Sequence, residues 1–295
     1  MRNRMITTSP SGLKKDILPY RLYEKAKRLG VWNPRDLDFT QDKKDWEDLT
    51  NEQRGSILGL ISKFQAGEEA VTLDLLPLMM AIAREGRLEE EMFLTTFLFE
   101  EAKHTEFFRL VLDVLDIHDD LSAFHTPTHR KVFYEILPET MQKLIHDPSP
   151  QALADASVVY NMFVEGMLAE TGYFAFSKIF ENSDKMPGLR RGIAYLKRDE
   201  SRHIAYGTFL LQRLIVVQPS LYDFIEQRMN ELLPLAMSIN QESMAVHDTV
   251  DSSNDSLIMD YAKQQYQLRL EKLQRAKTHT IEELYQMPED LLGVL

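Results

Sequence analysis

Two Glu-x-x-His pairs, Glu101 with His104 and Glu200 with His203, dominate the metal-binding potential of the chain. Each follows a further glutamate, Glu68 by 33 residues and Glu165 by 35. Residues three apart on a helix project from one face, so each pair offers a carboxylate and an imidazole to the same point. One more carboxylate from each preceding helix gives four Glu and two His, a set suited to two carboxylate-bridged iron or manganese ions inside a helical bundle. Four buried carboxylates without counter-charge would be strongly destabilising, and two divalent cations neutralise them. Composition alone would yield on the order of one such pair. There are two, and the other six histidines (His118, His125, His129, His146, His247 and His279) have no glutamate three residues before them.

Helix faces choose between adjacent acids. Ile57, Ile61, Phe64, Val71, Leu75 and Leu78 share the face of Glu68, whereas Glu69 lies with Ser62, Gln65 and Thr72, so Glu68 points inward. The three-residue spacing to histidine selects Glu101 over Glu100 and Glu200 over Asp199. Around Glu165 the same face carries Val158, Met162, Ala169 and Gly172, with no basic residue. A glutamate buried there without a metal would be protonated or paired.

Long helices must position these groups. The pattern predicts helices over 51–86, with Thr50 as N-cap and Pro77 as an interruption, over 87–115, and over a shorter 131–146. Ser149-Pro150 opens a helix over 149–181, Pro187 opens the one carrying Glu200 and His203, and 221–247 and 257–276 are two more, separated by a polar linker at 248–256. The expected fold is all-α: one domain over 1–295, a ferritin-like four-helix bundle with additional flanking helices. Its parts are an irregular segment 1–39, core helices at about 50–217, flanking helices 220–276 and a tail 277–295.

With 46 acidic against 34 basic residues and a net charge of −12, nucleic acid and anionic membrane surfaces are poor partners. The absence of cysteine excludes disulfides, thiolate metal sites and thiol nucleophiles, leaving nitrogen and oxygen ligands. No uncharged run approaches the roughly 18 residues of a membrane span, and no apolar stretch follows the basic N-terminal residues. A cytoplasmic protein without a transmembrane segment is expected.

The segments Gly67-Glu68-Glu69-Ala70-Val71-Thr72, Glu101-Ala102-Lys103-His104, Tyr160-Asn161-Met162-Phe163-Val164-Glu165-Gly166 and Asp199-Glu200-Ser201-Arg202-His203 resemble the ligand-binding oxidases related to the small, radical-generating subunit of ribonucleotide reductase. The resemblance runs from about Trp32 to the helix after Pro219. It implies a homodimer with one manganese and one iron per chain, a di-iron pair being the alternative. Glu68, Glu101 and His104 would serve mainly manganese, and Glu165, Glu200 and His203 iron. It further implies reaction of the reduced metals with dioxygen and an ether link between a valine and a tyrosine, here Val71 and Tyr160 by position. A long-chain fatty acid or similar lipid would place its carboxylate on the metals and its tail in an apolar tunnel.

The residues support these implications unevenly. Val71 lies one turn after Glu68, but Tyr160 is about 140° from Glu165 on a regular helix, so its approach needs an irregular turn or a neighbouring helix that brings Val71 to it. Ala169, Gly166 and Gly172 either leave room for a ligand or allow close helix packing. Tyr173, two turns from Glu165, is a candidate donor to a ligand carboxylate, and Met79 and Met80 are expected as core filler. Three other functions share the motifs: the reductase small subunit itself, in which Phe108 stands where the common form has its radical tyrosine, a non-catalytic metal or lipid binder, and a fatty-acyl desaturase.

Overall fold

The computed structural model describes residues 5–181, 183–246 and 252–288, and contains helices but no strand among them. In chain order the helices are α1 (Leu18–Leu29), α2 (Thr40–Glu47), α3 (Asn51–Arg84), α4 (Leu88–Val114), α5 (Pro127–Arg130), α6 (Leu137–Lys143), α7 (Pro150–Ser157), α8 (Glu170–Ile179), α9 (Pro187–Val217), α10 (Leu221–Val246), α11 (Ser252–Gln274) and α12 (Ile281–Gln286). Wider π-type turns occupy Lys131–Ile136 and Val158–Ala169, and the second of these joins α7 to α8 without a break. Four rods therefore form the core: α3, α4, the α7–π–α8 rod and α9.

Local chemistry sets where these rods begin. Thr50 and Gln53 cap α3 reciprocally, each side chain bonded to the other's backbone N–H at 3.2 and 3.0 Å. The helix then runs through Pro77 to Arg84. The Ser149 hydroxyl accepts the Ala152 N–H, and Pro150 fills the first helical position, where no N–H is needed. At the start of α9, Met186 takes a left-handed conformation (φ 56°) and two buried acids of α2 supply the caps. Asp42 accepts the Gly188 and Leu189 N–H groups at 2.8 and 2.7 Å, and Asp45 accepts that of Met186 at 2.8 Å.

Several boundaries differ from the sequence expectation. The segment 1–39 is not irregular throughout: it contains α1, whose Leu18, Leu22 and Ala26 are buried and which packs on α4 and α9. Its twelve residues begin at Leu18, and the preceding Ile17 offers no side-chain cap, which removes the usual start signal. The helix expected from 131 begins at Pro127, with Thr126 as its cap. In the expected linker 248–256, Ser252 onward already belongs to α11, while 248–251 lie outside the described residues. The tail carries the short helix α12, capped by Thr280 and Glu283. Met79 is partly buried against the core, but Met80 is a surface residue at 49% exposure rather than filler.

A close approach between rods lies beside Glu165. A Cβ on Gly207 of α9 would fall 2.1 Å from the Asn161 Cβ, and Asn161 donates from Nδ2 to Glu165 Oε2 at 2.9 Å. Gly207→Ala is expected to cost about 1–3 kcal/mol through overpacking. A lower midpoint in urea unfolding checks this, and an unchanged midpoint would refute the tight-packing reading.

Candidate metal centre

Glu68 comes from α3, Glu101 and His104 from α4, Glu165 from the π segment, and Glu200 and His203 from α9; all six are buried, none more than 5% exposed. They fall into two groups whose ligand atoms lie within 4.8 Å of one another: Glu68, Glu101, His104 and Glu200, and then Glu101, Glu165, Glu200 and His203. Glu101 and Glu200 belong to both, the arrangement expected of bridging carboxylates. His104 Nδ1 lies 3.4 Å from Glu68 Oε2 and 3.3 Å from Glu200 Oε1, and His203 Nδ1 lies 2.8 Å from Glu101 Oε1 and 3.4 Å from Glu200 Oε2.

The donor atoms fit a pair of cations. Both Glu101 oxygens, Glu165 Oε1, Glu200 Oε2 and the Nδ1 atoms of His104 and His203 are buried and make no hydrogen bond. Such a concentration of orphaned acceptors is rare in folded proteins unless a further group binds there. The proton balance agrees. Burial, and then repulsion from the other carboxylates, Glu200 foremost, holds the Glu101 and Glu165 carboxyls well above the usual range. Burial alone would lower His104, but the neighbouring carboxylates of Asp199, Glu200 and Glu68 outweigh it and raise that imidazole well above its ordinary value. Burial would likewise raise Glu200, yet the His203 and His104 charges bring it down to about 2. Protons thus stand where positive charge is needed, and a bound cation would displace them.

The imidazoles are aimed from behind by acids that the spacing rule had set aside as non-ligands. His203 Nε2 lies 2.9 Å from Glu100 Oε2, and His104 Nε2 lies 3.3 Å from Asp199 Oδ2. A carboxylate only accepts, so each Nε2 carries the proton and each Nδ1 faces the cluster. The buried Arg202 donates to both acids, and Asp199 also accepts from Lys103 at 2.8 Å and from the Trp32 indole N–H at 2.7 Å. Lys103 also reaches the Gly30 carbonyl at 2.7 Å, and a Cβ on Gly30 would collide with Glu100, so the segment after α1 closes this outer layer. The signal in the sequence was the doubled acid, Glu100-Glu101 and Asp199-Glu200, repeated in both motifs.

The π segment resolves the position of Tyr160. Turns that bond i to i+5 bring residues five apart nearly into line, so Tyr160 and Glu165 share a face that a regular helix would deny them. The Tyr160 hydroxyl, fully buried, donates to the Val71 carbonyl at 3.1 Å. Phe97 stacks on His203 at 3.7 Å and meets Tyr160 edge-on at 5.9 Å.

A cavity of about 300 Å³ adjoins the cluster, and Glu68, Glu101, Glu165 and Glu200 contribute to its wall together with Val71 and Ala169. The small residues divide by role. Ala169 and Gly172 border the cavity; Gly172 also sits under the Phe64 ring, and Gly166 under the Arg269 guanidinium, each glycine too close to its neighbour for a Cβ. Tyr173 does not border the cavity; its buried hydroxyl makes no hydrogen bond, and burial, followed by the Glu200 and Glu68 charges, raises its pKa well above the usual value.

Glu100→Gln should weaken metal binding about 10–100-fold, because the amide no longer fixes the His203 tautomer. Glu69→Gln, on the exposed face of α3, is the control. Metal titration of both variants checks this; equal affinities would remove Glu100 from the assignment.

The family described as "Ribonucleotide reductase, small chain" matches residues 19–286. Among solved structures, the chain is similar to an R2-like ligand-binding oxidase, in a valine-to-isoleucine variant with anaerobically reconstituted Mn/Fe cofactor, at 41% identity, 92% coverage of this chain, 98% of that one and a TM-score of 0.88. A glycine-to-leucine variant with non-activated Mn/Mn cofactor gives the same identity, coverages and score: 41%, 92%, 98% and 0.88. An alanine-to-phenylalanine variant with anaerobically reconstituted Mn/Fe cofactor gives 40%, 92%, 98% and 0.89. The matched span includes all six clustered ligands and both acids behind them, and on that agreement the chain belongs to the ribonucleotide reductase small-chain family and, within it, to the R2-like ligand-binding oxidases, which are oxidoreductases.

Proposed function

We propose that this chain binds one manganese and one iron, activates dioxygen, holds a long-chain fatty acid in the cavity beside the metals, and joins Val71 to Tyr160 by an ether bond. The carrying observation is the pair of ligand groups sharing Glu101 and Glu200 beneath a cavity that Val71 borders. Glu68, Glu101 and His104 would hold manganese, and Glu165, Glu200 and His203 iron, a di-iron pair being the alternative. The metal pair, when bound, supplies two electrons to dioxygen and draws two more from the protein. Forming the ether removes one hydrogen from a Val71 carbon and one from the Tyr160 hydroxyl. The chain's own part is positional: the π segment brings Tyr160 to Val71, Asn161 steadies Glu165, and the aromatic wall of Phe97 and Tyr160 excludes water. Ala169 borders the space for the lipid, and Tyr173, whose buried hydroxyl has no partner, is the candidate donor to the ligand carboxylate.

The dimer reading has its own support. Leu73, Leu76 and Met80 are 62%, 47% and 49% exposed along one side of α3, and Phe99 of α4 is 59% exposed. An apolar stripe of this kind on a core helix suits a second copy related by twofold symmetry. We also read 1–295 as one domain, since α1, α10, α11 and α12 all pack on the core rods.

One observation favours a second reading, radical generation for a catalytic subunit: Trp32, Asp199 and His104 form a continuous hydrogen-bonded chain outward from the cluster. Against it, Phe108 occupies the position of the common radical tyrosine and is buried beside Phe64 at 5.3 Å.

Peptide mapping of protein loaded anaerobically with manganese and iron and then exposed to air decides between these readings. A joined Val71–Tyr160 peptide pair, lighter than its parts by two hydrogens and absent from Tyr160→Phe, is expected; separate peptides from fully loaded protein would overturn the cross-link. Leu76→Glu should shift the protein from dimer to monomer in sedimentation, and an unaltered dimer would place the interface elsewhere.

A further inference from the structure

Part of the cavity wall is polar where an alkyl chain alone would leave it unsatisfied. Lys63 of α3, His129 of α5, and Asn240 and Ser243 of α10 all border the cavity. His129 is 2% exposed, lies between the His125 and Phe133 rings at 4.8 and 4.5 Å, and neither of its ring nitrogens makes a hydrogen bond. Asn240 Nδ2 is also buried without an acceptor. Lys63 donates to Ser243 Oγ at 2.7 Å. The acid acting on it, Glu242, accepts from the Thr128 N–H and hydroxyl at 3.0 and 2.5 Å.

The protonation of these groups fixes what they can bind. Burial, then the His125 and Lys63 charges, brings His129 down to about 3 against a weak opposing interaction with the Lys63 backbone, so the ring is neutral, with one donor and one acceptor nitrogen. Burial, against the attraction of Glu242, lowers Lys63 to about 8, which leaves it mostly cationic at neutral pH. The flank therefore offers an ammonium, an amide N–H and an imidazole N–H, together with one imidazole acceptor. A hydroxyl or keto oxygen satisfies the donors, and a hydroxyl also satisfies the acceptor.

We propose that the ligand of this cavity is an oxygenated long-chain acid, carrying a hydroxyl or keto group part-way along its chain that is held by Lys63, His129 and Asn240. The inference rests on the lipid reading above and narrows it. Lys63 precedes Glu68 by 5 residues on α3, so the second polar group lies about 7.5 Å along the helix from the metal-facing end. A plain saturated chain at the same depth would leave buried donors unpaired, and sites built around such donors discriminate strongly against ligands that lack the matching oxygen.

Equilibrium dialysis of the metal-loaded protein against hexadecanoic acid and a series of hydroxyhexadecanoic acids, with the hydroxyl moved along the chain, tests this. At least one isomer is expected to bind ten-fold or more tightly than hexadecanoic acid. Lys63→Met and Asn240→Leu, each checked for an unchanged melting temperature, should lose that preference while still binding hexadecanoic acid. If every isomer binds no more tightly than the plain acid, or if both folded variants keep the preference, the oxygenated-ligand inference falls and the fatty-acid reading stands. If no acid binds at all, the fatty-acid reading itself falls and takes this inference with it.

Discussion

Four carboxylates brought together in a dry helical core constrain the rest of the structure. At contact distances in a poorly polarisable interior, like charges repel strongly, and burial raises the free energy of each further. The chain answers with cations and protons in layers. Nearest the carboxylates are the two imidazoles; behind these are Glu100 and Asp199, themselves acids, balanced in turn by Arg202 and Lys103. Charge alternates outward from the cluster. Removing any one layer leaves the next unpaired, which explains why buried groups as costly as Arg202 and Lys103 sit so deep.

The same constraint accounts for two features of the backbone. The π segment costs regular hydrogen bonding over twelve residues, yet it turns Tyr160 and Glu165 to one side and leaves Asn161 able to steady the glutamate. Helix α1 and Trp32 lie outside the four-rod bundle, but the carboxylate layer behind the histidines is completed only by Trp32 and the Gly30 carbonyl with its Lys103 contact. What looks like an N-terminal addition is therefore part of the electrostatic shell.

The clustering of these six side chains was legible in the sequence because helical geometry turns a three-residue spacing into a shared direction, and because one face of α3 separates Glu68 from Glu69. The long rods were legible from their periodicity and from caps such as Thr50 and Ser149. Three things were not. The start of α1 lacks a cap signal, since Ile17 offers no side-chain acceptor. The π segment has no distinctive composition, being an apolar run that suits a regular helix equally well, so only the required meeting of Tyr160 and Val71 hinted at it. Glu100 and Asp199 were passed over because a rule that finds ligands by spacing discards their neighbours, although a doubled acid at both motifs marks the place where a histidine needs a partner behind it.

The cavity extends this logic from charge to ligand. Beside the ligand cluster its wall is acidic, and of the three small positions Ala169 and Gly172 border it; Gly172 also admits the Phe64 ring, and Gly166 admits Arg269. The wall also carries Lys63, His129 and Asn240. Polar groups retained in an otherwise apolar passage are destabilising unless something pairs with them, and no described neighbour completes the pairing of His129 or of Asn240 Nδ2. Acids, apolar side chains and donors all line this one cavity, and any molecule that filled it would have to answer each of them.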